Sequence, residues 1–171
     1  MKSTIALFIT VIFSCVSTYA QEESTITSAE ITFNFESKDV NGSIAGFNSE
    51  SKINLNNITQ SKFKGSVSAE TLKTGNFLRD WHLKGNKYFN VDKYPKIAFE
   101  STQVVEGKDG FTVIGTLTLK GVSKTMSIDF MKKESTLVGA ATLFSSDFGI
   151  TIKDEKADNE VSITMTLKLS P

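Results

Sequence analysis

The stretch EVSITMTLKL, residues 160–169, alternates without a break: Val161, Ile163, Met165, Leu167 and Leu169 against Ser162, Thr164, Thr166 and Lys168. Successive side chains of an extended chain point to opposite faces. A run of this kind therefore makes a strand with one face buried, whereas a helix would repeat its apolar residues every three or four positions. ITFNFE does the same, with Ile31, Phe33 and Phe35 on one side and Thr32, Asn34 and Glu36 on the other. Less regular alternation covers residues 42–56, 62–73, 96–106, 111–120, 124–133 and 136–144, with turn-forming stretches at 39–42, 54–57, 106–110 and 120–124 between several of them. About eight strands joined by short turns fit an antiparallel sandwich or closed barrel, not parallel βαβ units. The expectation is one all-β domain spanning residues 21–171.

Thr74–Tyr94 interrupts this rhythm. Asn76 is placed to cap a short helix, Phe77, Leu78 and Trp81 to share its inner side, and Gly85 to end it. A connection of about twenty residues is long for a compact β domain and usually has a packing or functional task. Leu78, Trp81, Leu83 and Phe89 are expected to pack the insertion and not to touch a ligand.

Residues 1–20 open with Lys2, continue through the apolar run Ile5–Phe13 and end in small residues before Gln21, the layout of a secretory signal peptide. Cleavage near Ala20 would remove Cys15, the sole cysteine, and with it any disulfide or thiol chemistry. The expected location is periplasmic or secreted; anchoring as a lipoprotein through Cys15 is the rival reading, opposed by the bulky Phe13. With 19 basic and 19 acidic residues the chain has no nucleic-acid footprint.

His82 is the single histidine, so no multi-histidine metal site can be assembled and no metal or cofactor is expected. As a general base it lacks a marked nucleophile, and no nucleophile elbow, phosphate loop or dinucleotide fingerprint occurs. Arg79 offers a planar fork for carboxylate or phosphate. Lys124, in the turn KGVSK, is a candidate rim cation. Thirteen phenylalanines are many for this length. They either fill a core or line the interior of an eight-stranded barrel wide enough for one apolar guest, and the two cases read alike.

Residues 74–101, TGNFLRDWHLKGNKYFNVDKYPKIAFES, resemble the signature of the YceI-like proteins. In that family a T-G…R-D-x-H-L segment precedes an aromatic pair, Y-P and a strand with F-x-S. GTLTLKGVSK at 115–124, SDFGI at 146–150 and the closing VSITMTL extend the resemblance over residues 29–169. It implies an eight-stranded antiparallel lipocalin-like β-barrel with a short helical insertion, an apolar channel, and an exported protein that holds a polyisoprenoid or related long-chain lipid, such as a polyprenyl phosphate or prenyl quinone. No catalytic set comes with it. Ser145 departs from the asparagine or arginine common in relatives, and Trp81 from small or polar residues.

The cavity candidates, taken from the apolar sides of the alternating runs, are Phe33, Phe35, Phe47, Phe63, Phe99, Phe111, Leu117 and Phe130. Arg79, His82 and Lys124 are the candidates for a head group at the mouth. The expected protein is a monomer or weak dimer and not an enzyme. The competing readings are an envelope interaction module with a filled barrel and a lipid-acting enzyme using His82.

Overall fold

A computed structural model describes residues 23–170. The expected leader, with Cys15 and Ala20, lies outside the described residues. The strands are β1 (Glu23–Ser24), β2 (Ile26–Phe35), β3 (Val40–Ile44), β4 (Asn48–Ser49), β5 (Ile53–Asn54), β6 (Lys64–Ser68), β7 (Lys96–Glu106), β8 (Phe111–Leu119), β9 (Val122–Lys133), β10 (Thr136–Phe144) and β11 (Glu160–Leu169), with helix α1 (Phe77–Lys84) between β6 and β7.

Nine strands form one antiparallel sheet in the order β3-β2-β11-β10-β9-β8-β7-β6-β4. Its two edges are consecutive halves of one kinked strand, turned at Gly46 with φ of 71°, so the sheet curls back upon itself. Counted that way, the barrel has eight staves. The seam is held where Ser43 N donates to Lys73 O at 2.8 Å, Lys73 N to Ser43 O at 3.0 Å and Ser68 N to Ala45 O at 3.0 Å. Closure of this kind ties together the two edge strands of the sheet.

The strands expected at 96–106, 136–144 and 160–169 form over those residues. The one expected at 42–56 is instead broken into β3, β4 and β5. That expected at 62–73 ends in a 3₁₀ turn, Ala69–Thr71. On the opposite side, the β9–β10 ladder stops at Asp129–Ala140. Beyond it the 3₁₀ turn Ser145–Phe148 brings Phe148 and Ile150 against Leu117 and Leu119. Asn159 carries this segment's hydrogen bonds: buried completely, its amide accepts from Ile152 N and Lys153 N and donates to Lys153 O and Glu155 O.

One end of the barrel is packed with aromatic rings. The rings of Phe63, Phe111 and Phe130 lie 5.4 to 5.8 Å apart, and β5, paired to β1, seats the fully buried Ile53 beneath them. Phe130 packs over Gly139, where a Cβ would come within 2.5 Å of the ring. Along β11 the apolar face is buried at Leu167 and Leu169 but only half-buried at Val161 and Ile163. The same alternation thus serves a packed floor and an unfilled upper half.

Candidate functional site: a cavity beneath the helical insertion

The upper half encloses a cavity of about 610 Å³, within the range of small-ligand sites. Phe33, Phe35, Val161, Ile163, Leu143, Leu119 and Ile97 supply its strand walls, and Leu83, Tyr88 and Phe89 reach it from the insertion. Ile31, Ile44 and Ile97 also border a second, smaller space of about 160 Å³, which touches Phe47, Phe63, Phe99, Leu117 and Phe130. The phenyl rings leave this room because some lie flat on the wall. A Cβ at Gly42 would stand 2.2 Å from Cζ of Phe33, so the bare glycine lets that ring lie across β3.

The polar groups on the cavity are few: Lys38, Thr74, Arg79, His82 and Ser145. Ser145 Oγ is spent on Ile150 O at 2.8 Å. Asn76 caps α1 by accepting from Arg79 N at 3.0 Å. Arg79 and Asp80 diverge around the helix yet meet at Thr74, behind them in sequence. Arg79 Nε donates to Thr74 Oγ1 at 2.6 Å and Nη2 to Thr74 O at 2.7 Å, while Asp80 Oδ1 accepts from Thr74 N at 2.8 Å and from Thr74 Oγ1. The buried Thr74 therefore joins both charges and fixes the guanidinium beside the cavity. Thr74→Val removes an acceptor and a donor for charged groups, each worth about 1.5–3 kcal/mol. We expect lower thermal stability and faster amide exchange over 77–84, with recovery in Thr74→Ser.

Of the head-group candidates, Arg79 and His82 border the cavity. Lys124 does not: it stands opposite Leu117 on the part of β9 that has left β10, and its side chain is exposed. Phe33 and Phe35 border the main cavity, and Phe47, Phe63, Phe99, Leu117 and Phe130 the smaller one. Phe111 borders neither, being stacked in the floor. Lys38 had escaped notice. It ends the one-turn 3₁₀ helix Glu36–Lys38 directly after β2, and a cation one turn beyond a cavity-facing strand is the signal that marks it. His82 contacts the Trp81 ring at 5.1 Å, and its imidazole makes no hydrogen bond among the described residues.

The expected inner side of α1 is reversed. Phe77, Leu78 and Trp81 are 82%, 65% and 65% exposed, because Arg79, His82 and Leu83 occupy the face toward the barrel. Trp81 accordingly does not narrow the cavity. Leu83 and Phe89, expected only to pack, border it.

A family model for the YceI-like domain matches residues 18–169. The chain belongs to the YceI-like family. The YceI-like barrel is 35% identical over 88 residues to a UPF0312 protein of Yersinia pestis and 32% to one of Yersinia enterocolitica, matches that take in 52% of this chain and 46% of each relative. It thus spans about half the length of the curated relatives it matches. Among solved structures, Burkholderia cenocepacia BcnA superposes with a TM-score of 0.71 at 18% identity, covering 84% of this chain and 96% of that one. A polyisoprenoid binding domain from Saccharophagus degradans, described as implicated in plant cell wall breakdown, gives 0.56 at 11% identity over 86% and 97%. These likenesses show that the YceI-like barrel shares their fold.

Proposed function

We propose that this protein is an exported binding protein that holds an isoprenoid or other long-chain lipid, tail inward, as a carrier or sensor. The observation that carries the reading is a cavity of about 610 Å³ walled by aliphatic and aromatic side chains, with Lys38, Arg79 and His82 among the few polar groups on its lining. Apolar surface entering such a space gains about 25 cal/mol per Å², so a hydrocarbon tail needs few polar contacts. Lys38 and Arg79 suit an anionic head group such as a polyprenyl phosphate. The solved polyisoprenoid binding domain of the same fold supports the ligand class. Export, to the periplasm or beyond the cell, rests on the leader-like residues 1–20.

The enzyme reading has less support, since no hydrogen bond orients the His82 imidazole as a base among the described residues. An interaction module with a filled barrel conflicts with the open upper half.

Organic extraction of the purified protein followed by mass spectrometry tests the proposal: about one lipid per chain is expected, and a lipid-free protein that also refuses added lipid overturns it. In the Lys38→Ala and Arg79→Ala double variant, retention of polyprenyl phosphate should fall about tenfold relative to prenyl quinone, because charge-assisted hydrogen bonds contribute on the order of 1.5–3 kcal/mol. An unchanged ratio would remove these two cations from head-group recognition.

A further inference from the structure

The exposed face of α1 is the opposite of what a globular surface offers. Phe77, Leu78 and Trp81 lie at spacings of three and four, on one side of the helix, and are 82%, 65% and 65% exposed. The polar Arg79 and His82 face the cavity. We propose that this face of α1 docks on an anionic lipid bilayer, setting the cavity against the membrane.

Three observations select that occupant. First, the chain is neutral, yet residues 74–94 carry four basic residues (Arg79, Lys84, Lys87, Lys93) and two acidic ones (Asp80, Asp92); with Arg79 turned to the cavity and joined to Asp80 through Thr74, and Lys84 paired to Glu70, Lys87 and Lys93 are the cations this segment leaves on the surface. Lys87 and Lys93 are exposed, and each is near a tyrosine ring, with no carboxylate paired to either among the described residues. Basic residues around an apolar face complement an anionic membrane surface. Second, the patch is small: three large side chains present on the order of 400 Å², about half of what each partner gives to a stable protein interface. A bilayer requires no such area, and a helix of eight residues with a tryptophan fits the interfacial zone and is too short to span. Third, the same eight residues turn their other side to the cavity, so membrane and cavity would share one wall.

The docking face is separate from the cavity reading, because none of the three apolar residues borders the cavity. Trp81 is the sole tryptophan and reports directly. The full-length protein is mixed with vesicles of phosphatidylcholine alone or with phosphatidylglycerol, and Trp81 emission and flotation are measured. Emission should move to shorter wavelength with the mixed vesicles, and the protein should float with them, more weakly at high salt. Phe77→Ser with Leu78→Ser should reduce flotation about tenfold while circular dichroism and extractable lipid stay unchanged. Absence of the emission shift, or equal flotation of the double variant, overturns the proposal. So does emission already at short wavelength without vesicles: with a rising mass at higher concentration a second copy covers the face, and with a constant monomer mass another part of the chain does. Loss of extractable lipid from the parent protein would instead count against the cavity reading.

Discussion

Ile31→Trp combined with Ile163→Trp should leave a folded protein that retains less than about a tenth of the parent's lipid. Both side chains border the main cavity and neither is fully buried. Ile163 stands opposite Phe33 across the β2–β11 pair, and Ile31 opposite Met165. Larger rings at these positions can extend into the cavity that both side chains border, so the overpacking penalty of a dense core does not arise in full. If two indoles displace on the order of 100 Å² of guest surface, the loss is about 2.5 kcal/mol at 25 cal/mol per Å², which corresponds to roughly 60-fold in affinity. Lipid per chain after extraction is the measurement, with thermal unfolding as the control. Undiminished lipid in a stable variant would mean that the guest lies elsewhere.

At the other end of the barrel the response should be reversed. Phe130→Ala removes a ring that is 3% exposed and stacked on both Phe63 and Phe111. Large-to-small changes of this type cost about 3–5 kcal/mol, a large part of the 5–15 kcal/mol that holds a typical domain together. We expect the melting temperature to fall on the order of 10 °C. Phe33→Ala, at a half-buried ring on the open side, should cost much less. Equal losses at the two positions would show that the upper half is as tightly packed as the floor, contrary to the cavity described above.

Most of the wall could be read from residue order. β7, β10 and β11 have the bounds that alternation assigns, because one wet and one dry face impose a period of two over a whole strand. The helix termini were equally readable, since Asn76 and Gly85 act through local backbone chemistry. What failed was the direction of α1. The rule that apolar residues turn inward assumes a solid interior, and above a cavity Arg79 and Asp80 gain more by meeting Thr74. The broken strand at 42–56 was hidden for a different reason: its two halves pair with opposite ends of the sheet, which depends on long-range closure at Ser43–Lys73. Whether the phenylalanines filled or lined the barrel also stayed undecided, because the room beside Phe33 depends on Gly42 of a neighbouring strand. The place of Lys124 off the cavity is unreadable for the same class of reason, since only the ladder's end at Asp129–Ala140 shows that β9 has parted from β10 there.

The aromatic floor blocks the barrel at one end. On the proposed reading, a guest in the upper half would not thread through between these stacked rings. A tail longer than this cul-de-sac is deep would then have to trail outside.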